Sequence, residues 1–557
     1  MRTLAAVVAV ACALLAADGA AAQTHAAADK VVFGLTGDIN GGFNTTLNCC
    51  GGLPGAYMTL PVLHGAFVQD ARGRWLKDLV SAARADARGI SYTIRPDAFW
   101  YWGGRKIPVT YRDFVYTLRH VDDPRIDAVR TGYANLDPTR ITHHGLRRFT
   151  LFWRRTGCST DYPCGPLADW PSLFPLLFPS FALAGEDFSK IWTSCICGSD
   201  GMPVADGPFY LARYVPGQLA VLRANPYYHD RARLAELDFK IIGGDPGALT
   251  EAIQNGQVDA IFPSFAPDFL MLRATPGLTY QIGPSYALER MDFREGGARG
   301  GPGVTKSSSN VLLRAPWMRQ AIALALDRQA MIDAVYGPDS GLKPANNLLF
   351  YPGEAGYRAD FSRWSTDPSK AIALLRRHCT GGPATPDPQT AKVWQCSGLP
   401  AVVQYTWPSQ APARTLIEQV ARADLKAVGI HVVDRPSPNA FDAITIGSFD
   451  IAQYANFTSG DPGDWYDSYR CFGAANYTGY CSRTVDRLLR AANAQLDPSK
   501  RSALFRRADA IMAAQLPTIP LFQKPGTLIR KSSLLGVGPS PSSFGPFWNV
   551  QGWHWRP

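Results

Sequence analysis

The chain of 557 residues has few charged side chains, and long apolar segments are missing after its N-terminus. Charged residues make up 18% of the sequence and hydrophobic residues 46%, a balance that excludes intrinsic disorder and fits a globular protein with large cores. No apolar run of about 18 residues follows the N-terminal segment, which excludes a protein with several membrane-spanning helices. At roughly 100–200 residues per domain, this length indicates three or four domains.

The sequence also lacks the short motifs of several enzyme classes and of nucleic-acid binding. It contains no G-x-S-x-G, H-E-x-x-H or G-x-x-x-x-G-K-[ST] segment. The net charge is +10, but the basic residues occur as scattered doublets rather than as one tract, so we expect no nucleic-acid partner. Because no cofactor motif and no metal-ligand spacing is present, we expect neither a cofactor nor a metal.

The N-terminal segment has the pattern of a secretory signal peptide. Arg2 supplies a positive charge, residues 4–17 are almost purely apolar, and residues 20–22 are small enough for cleavage. We therefore expect a signal over residues 1–22 and a protein located in the periplasm or outside the cell. Cys12 would anchor the protein to a membrane only if it were lipidated, and the leucine expected before such a cysteine is missing.

The cysteines indicate disulfides, since eleven are present and ten remain once Cys12 leaves with the signal. Proximity in sequence suggests three pairs, and we expect the two remaining clusters to be cross-linked to each other. The alternative for those clusters is a zinc site with four thiolates, but neither has the usual ligand spacing. The expected pairs are Cys158 with Cys164, Cys379 with Cys396, Cys471 with Cys481, and Cys49 or Cys50 with Cys195 or Cys197.

Hydrophobic periodicity predicts strands that alternate with helices in both halves of the chain, which indicates mixed α/β domains. Thr110 is a plausible cap of one predicted helix and Asp327 of another. Residues 157–205 are rich in Pro, Gly, Cys and aromatic side chains and are expected to be irregular. The Gly- and Ser-rich segment 296–310 is the best candidate for a linker or mobile loop.

Aromatic residues make up 11% of the chain, and several of them stand beside turn residues. Aromatic walls with a few polar groups are typical of ligand clefts. We therefore assign Trp100, Trp102 and Trp465 to a candidate ligand site, together with Phe43 and Tyr454. The alternative is that these side chains pack between domains.

A set of short segments spans nearly the whole chain: Asp206-Gly207-Pro208-Phe209-Tyr210-Leu211, Asn225-Pro226-Tyr227-Tyr228, Gln254-Asn255-Gly256-Gln257-Val258-Asp259, Met318-Arg319-Gln320-Ala321-Ile322 with Asp327-Arg328, Asn476-Tyr477-Thr478-Gly479-Tyr480, Val485-Asp486-Arg487-Leu488-Leu489, and Pro517-Thr518-Ile519-Pro520-Leu521-Phe522. In this order, the set resembles the bacterial extracellular solute-binding proteins of family 5, the oligopeptide- and dipeptide-binding type that serves ABC importers. Asp206 stands where the family usually has a hydroxyl residue, and the cysteine density is unusually high.

This resemblance implies a periplasmic-binding-protein-like α/β fold of type II (cluster C). Two lobes with mixed sheets are joined by paired crossings, an extra domain sits on the first lobe, and a ligand cleft lies between the lobes. The implied division is 30–60, 203–298 and 516–557 for lobe I, 61–202 for the extra domain, and 299–515 for lobe II.

The resemblance also implies a function. We expect a monomeric, non-enzymatic protein that captures an oligopeptide-like solute by hinge closure and delivers it to ABC permease subunits in the membrane. In peptide binders of this family an acidic residue of the second lobe pairs with the peptide amine. In the matching region of this sequence, Ser459 lies nearest by count and Asp461 lies in a similar Asp-Pro pair.

Two other functions remain open at the level of sequence. A receptor or assembly protein without a transport role can use the same fold, because a fold does not determine a function. A secreted hydrolase would need a nucleophile and a base that meet in the cleft, and sequence alone does not bring such a pair together.

Overall fold

The computed structural model describes residues 29–50, 52–159, 163–243, 245–263, 267–296, 310–542 and 545–557. The expected signal peptide with Cys12, and all but the ends of the linker candidate 296–310, lie outside the described residues. Within these ranges no helix has the length and the apolar character that a membrane span requires.

The described residues form strands and helices that alternate along the chain. The strands are β1 Lys30–Leu35, β2 Phe67–Gln69, β3 Trp75–Lys77, β4 Val80–Ala85, β5 Gly89–Ile94, β6 Phe99–Trp102, β7 Arg105–Pro108, β8 Leu136–His144, β9 Arg148–Trp153, β10 Val204–Ala205, β11 Phe209–Val215, β12 Leu219–Ala224, β13 Glu236–Ile241, β14 Ala260–Ile261, β15 Leu278–Phe293, β16 Cys379–Thr380, β17 Gln395–Cys396, β18 Leu399–Pro400, β19 Val402–Pro408, β20 His431–Ser437, β21 Ile451–Phe457, β22 Thr518–Lys531, β23 Leu534–Leu535 and β24 His554–Trp555. The helices are α1 Leu53–Thr59, α2 Tyr111–Val121, α3 Pro246–Gln254, α4 Pro316–Ala325, α5 Arg328–Tyr336, α6 Pro368–Arg376, α7 Pro412–Ala427, α8 Ala440–Thr445, α9 Tyr466–Tyr469, α10 Arg483–Asn493 and α11 Pro498–Gln515.

The ends of these helices follow the local signals of the sequence. The Thr110 side chain accepts a hydrogen bond from the Arg112 N–H, and Asp113 completes a capping box at the start of α2. The Asp327 side chain accepts from two backbone N–H groups at the start of α5. The predicted caps at Thr110 and Asp327 are therefore confirmed.

One mixed sheet runs through the whole molecule in the order β11-β12-β13-β1-β14-β22-β15-β21-β19-β20. On one side β1 pairs in parallel with β13 and β14, and on the other β19 pairs in parallel with β20 and β21. The long antiparallel strands β15 and β22 join the two sides. The expected mixed α/β fold with paired crossings is thus present.

The apolar core is interrupted where the two long strands cross. One cluster of buried side chains packs around β1 and β13, and a second packs around β19 and α11. Residues 281–285 of β15 and 523–527 of β22 belong to none of the apolar clusters. Since each domain needs its own apolar core, this interruption divides the chain into two lobes joined by a two-stranded hinge.

Further strands and loops form a separate layer on the first lobe. A four-stranded sheet, β4-β5-β9-β8, packs against α2, and the hairpin β2–β3 projects from this region toward the hinge. The chain from 163 to 203 has no long helix or strand in its described part, as its composition predicts. We call this layer the extra domain.

The disulfides differ from expectation at one point. The cross-link between the two cysteine clusters is absent, although their segments are neighbours and the Phe43 N–H donates to the Trp192 carbonyl at 2.8 Å. Each cluster instead pairs within itself, with Cα atoms 3.8 Å apart for Cys49 and Cys50 and 5.5 Å apart for Cys195 and Cys197. The disulfides present are Cys49–Cys50, Cys195–Cys197, Cys158–Cys164, Cys379–Cys396 and Cys471–Cys481.

Candidate functional site

A cavity of about 120 Å³ lies at the hinge and is lined by both lobes. Lobe I contributes the ends of β1 and β14 and the start of α1, and lobe II contributes Phe457, the last residue of β21, and Thr458. The remaining wall comes from the crossing strands and from the segment 540–542. In open α/β sheets, ligands bind beyond the carboxyl ends of the strands, and the carboxyl ends of the parallel pair β1–β14 and of β21 line this cavity.

Much of the cavity wall is apolar, and two of its side chains remain exposed. Phe457 of lobe II is 61% exposed and Leu53 of lobe I is 39% exposed, and both line the cavity. Tyr57 and Phe262 form an aromatic pair on the lobe I side, with ring centroids 6.2 Å apart. Exposed apolar side chains that converge on a concave surface are typical of a site that buries a ligand.

The crossing strands lose their regular pairing beside the cavity. The register of β15 and β22 shifts between Pro284 and Leu288, where Pro525 cannot donate to the ladder. Side chains replace the lost backbone bonds: Ser285 Oγ donates to the Lys524 carbonyl at 2.6 Å, and Gln523 Nε2 donates to the Ser285 carbonyl at 2.8 Å. Lys524 lies in the cavity wall beside this irregularity.

Lys524 belongs to a partly buried charge network behind the cavity. Its Nζ lies 3.7 Å from Glu289 Oε2, while Arg414 Nε donates to Glu289 Oε1 at 2.8 Å. The Glu289 side chain is 2% exposed, and Gln453 Nε2 also donates to its Oε1. Burial raises the pKa of Glu289, but the charges of Arg414 and Lys524 outweigh this and hold it below its ordinary value.

Tyr286 occupies a slot between the lobes at the edge of the cavity. A Cβ added at Gly73, in the hairpin of the extra domain, would lie 1.7 Å from the Tyr286 hydroxyl, and one at Gly460 of lobe II would lie 2.4 Å from the ring. Beside this slot Gln69 Nε2 donates across the interface to the Ser459 carbonyl at 2.9 Å. Because both glycines leave room for the same ring, the three residues set how closely the hairpin approaches lobe II.

A second space between the lobes, about 630 Å³ in volume, separates the extra domain from α10. Val129 and Leu167 line it on one side, and Asp464 and Arg487 on the other. A backbone hydrogen bond crosses between the lobes beside it, from the Ala168 N–H to the Asn493 carbonyl at 2.7 Å. We refer to this region as the outer cleft.

Acidic side chains meet from opposite lobes at the outer cleft. Partial burial of Asp169, together with the carboxylates of Asp461 and Asp464, raises the pKa of Asp169 well above its ordinary value. Desolvation at the cleft and the charge of Asp461 raise the pKa of Asp464 to about 6. Arg501 is the cation in this group and donates two hydrogen bonds of 2.6 Å to the Asp461 carboxylate.

Closure of the lobes is expected to weaken as pH rises, because carboxyls with raised pKa values stabilise the contact while protonated and repel Asp461 once ionised. The loss is at most about 1.4 kcal/mol per pH unit for each proton released. Asp169→Asn should flatten the pH dependence of thermal unfolding between pH 5 and 8. Asp187→Asn, in an exposed pair of the same domain, should leave that dependence unchanged; equal slopes in both variants would contradict this assignment.

The structure places the two candidate amine anchors at the lobe interface and outside the set of residues that line the hinge cavity. Asp461 is paired with Arg501 and also accepts from the Gly463 N–H, so its carboxylate already has partners in its own lobe. Ser459 contacts lobe I through its carbonyl, and its Oγ accepts from the Asp461 N–H. Neither side chain has the position of an unpaired anion facing the cavity.

The aromatic candidates are packing residues rather than walls of this cavity. Trp100 and Phe43 are 0% exposed within the first lobe and its extra domain, and Trp102 packs on Phe181 and donates to Asp200. Tyr454 and Trp465 are each 1% exposed and surround the guanidinium of buried Arg290. The alternative that these side chains pack inside the molecule therefore describes them better than contact with a solute.

Sequence reasoning missed the residues that do line the cavity, among them Tyr57, Tyr286, Phe457 and Lys524. The signal that could have found Lys524 is the segment Lys524-Pro525-Gly526, a charge followed by two residues that interrupt a strand. Within the described ranges, no group of three or more His, Cys, Asp or Glu side chains could hold a metal ion.

Comparison with known families and curated proteins gives consistent matches. Residues 77–478 match the family model of bacterial extracellular solute-binding proteins, family 5 Middle. The oligopeptide-binding protein OppA of Mycobacterium tuberculosis is 24% identical over 479 residues, which cover 82% of this chain and 73% of that protein. A dipeptide-binding protein of Pseudomonas aeruginosa is 24% identical over 356 residues, or 62% of this chain and 61% of that protein.

Solved structures share the whole architecture. A periplasmic EDTA-binding protein, EppA, superposes with a TM-score of 0.80 at 21% identity, covering 95% of this chain and 96% of that chain. The oligopeptide-binding protein AppA of Bacillus subtilis, solved with a nonapeptide, gives a TM-score of 0.72 at 17% identity, covering 95% and 99%. At these identities the likeness establishes the fold.

Proposed function

This chain belongs to the bacterial extracellular solute-binding proteins of family 5, and from this premise we propose that it captures an oligopeptide-like solute in the hinge cavity and delivers it to an ABC importer. The observation that carries the proposal is the cavity itself. It lies at the junction of two lobes with separate cores, and both lobes line it. A solute that contacts both lobes binds the closed arrangement better and therefore shifts the population toward it.

Peptides suit this cavity better than strongly polar solutes of the same size. The wall combines exposed apolar side chains, aromatic rings and a few hydroxyl groups, which can accommodate varied side chains. The oligopeptide-, dipeptide- and nonapeptide-binding names of the matched proteins point in the same direction. We propose that the protein is exported and acts as a monomer, with a membrane anchor only if Cys12 carries a lipid.

Binding without chemical change fits the lining better than hydrolysis does. The described residues of the cavity wall include Ser285, Ser540 and Ser542, but no histidine, aspartate or glutamate that could activate a hydroxyl group. We therefore expect a bound peptide to be released from the protein without being hydrolysed. Hydrolysis of a peptide or ester substrate, abolished by substitution of one of these serines, would favour the hydrolase alternative.

The binding step is tested by thermal unfolding and intrinsic tryptophan fluorescence with pools of synthetic tri- to octapeptides. We expect saturable stabilisation, since a ligand at 100 times its Kd adds about 2.7 kcal/mol to the folded state. The same measurement with sugars serves as the control. Stabilisation by sugars alone, or by none of these solutes, would contradict a peptide ligand.

The transport step needs a separate test, because a receptor on the same fold would bind the same solute. Cells that lack this protein should lose uptake of a labelled peptide that it binds, and expression of the wild-type chain should restore it. Unchanged uptake together with tight binding in vitro would favour a non-transport receptor.

A further inference from the structure

The charges beside the hinge cavity do not balance. Glu289 carries the single negative charge of the network, whereas Lys524 and Arg414 carry two positive charges. The side chains of Lys524 and Arg414 are 19% and 15% exposed, so water screens them only partly. A partly buried cation without a full counter-charge is unfavourable, and an anion placed beside it would be stabilised.

The two cations share the carboxylate unequally. Arg414 donates to Glu289 at 2.8 Å through Nε and approaches the other oxygen through a second nitrogen at 3.5 Å. Lys524 approaches the same carboxylate only at 3.7 Å, which is beyond the range of a strong hydrogen bond. Arg414 therefore holds the carboxylate, and the ammonium of Lys524 keeps capacity to donate elsewhere.

Lys524 also belongs to the cavity wall. Among the described residues that line the cavity, Lys524 is the one charged side chain, and the serines and threonines around it offer further donors. Burial lowers the pKa of Lys524; Glu289 opposes this shift, and Arg414 adds to it. A ligand anion at this point would supply the missing counter-charge.

We propose that Lys524 is a specificity-determining residue that binds a carboxylate of the solute, so that the cavity selects solutes with an anionic group near the hinge. This inference rests on the proposed function for the identity of the solute: in a peptide, the group is the C-terminal carboxylate. A non-peptide acid has the same chemistry and is tested with separate probes, while peptides without Asp or Glu exclude an acidic side chain as the source of the carboxylate.

The experiment compares two pools of synthetic tri- to pentapeptides that contain no Asp or Glu. One pool has free C-terminal carboxylates and the other has C-terminal amides, while both keep a free amine. For the wild-type protein we expect calorimetry to give at least a 10-fold lower Kd for the free-acid pool. Lys524→Met should raise that Kd about 10- to 100-fold, to the value of the amide pool, whereas Lys524→Arg should keep most of the difference.

The remaining network should tolerate the loss of Lys524, and the same strand offers a matched control. Glu289 retains Arg414 and Gln453 when Lys524 is replaced, so the empty variant should unfold at the wild-type temperature or above it. Lys531→Met is the matched control, because Lys531 lies on the same strand but pairs with Asp259 at 2.6 Å and is not part of the cavity wall. This control should keep the preference for free acids.

Each outcome is decisive. Equal affinity of the wild-type protein for acids and amides overturns the inference while the proposed function stands. If no peptide binds, the proposed function fails, and EDTA, citrate and glutarate become the probes. Binding of any of these acids that Lys524→Met abolishes upholds the inference, whereas an unchanged affinity in that variant, or no binding of any acid, overturns it.

Discussion

The variant Glu289→Ala is expected to lose about 3–5 kcal/mol of folding free energy, the typical loss when one partner of a buried ion pair is removed. Without this carboxylate, Arg414 and Lys524 would face each other at the hinge with no counter-charge. The pKa of Glu289 lies below its ordinary value, so its stabilising contribution is present at neutral pH and is lost as pH falls toward the acidic range. Urea unfolding followed by tryptophan fluorescence measures the loss.

Two variants show whether charge causes this loss. Glu289→Gln keeps the shape and hydrogen-bonding oxygen of the side chain but removes its charge, so we expect a loss between that of Glu289→Ala and zero. Glu251→Ala removes an exposed carboxylate from α3 and should change stability by less than about 0.5 kcal/mol. A loss below about 1 kcal/mol for Glu289→Ala would show that the two cations do not depend on this carboxylate.

Gly73→Ala is expected to weaken solute binding about 10- to 100-fold by holding the lobes apart. The added Cβ would lie 1.7 Å from the Tyr286 hydroxyl, and the ring cannot turn away freely because Gly460 lies against it from the other lobe. Overpacking of this kind costs roughly 1–3 kcal/mol. The closed arrangement bears that cost and the open arrangement does not, so calorimetry should show a higher Kd.

Backbone strain is separated from the clash by a matched glycine. Gly217 has φ +70° and Gly73 has φ +72°, so alanine is equally unfavourable for the backbone at both positions. A Cβ at Gly217 meets nothing within 4 Å. Gly217→Ala should therefore lower the melting temperature about as much as Gly73→Ala does but leave the Kd unchanged. Equal effects of both variants on the Kd would contradict a role for Gly73 in closure.

The elements that the sequence predicts well are those governed by local signals. Thr110 and Asp327 begin helices because their side chains satisfy backbone N–H groups at the helix start. The apolar stretch 31–35 becomes β1, since a continuous apolar run suits a strand that is covered on both faces. For such elements the neighbours along the chain decide the structure.

The candidate site depends on contacts that are distant in sequence, and there the sequence misleads. Aromatic clusters look alike whether they face a ligand or a core: Trp100 is fully buried and donates to Asp113, whereas Phe457 lies exposed at the cavity. In the sequence Asp461 resembles an amine anchor, but in the structure its carboxylate accepts a hydrogen bond from Arg501, 40 residues later. Lys524 becomes notable only when the fold brings Glu289 and Arg414 beside it.

The central claim, that two lobes close around a small solute, is tested most directly by the distance between spin labels on opposite sides of the outer cleft. Val129 of the extra domain and Arg487 of α10 are exposed and face each other there, and labels on unnatural amino acids leave the disulfides intact. We expect pulsed electron paramagnetic resonance to show this distance shorten and its distribution narrow as the free-acid peptide pool saturates the protein. A distance distribution that stays the same while peptide binds would contradict closure.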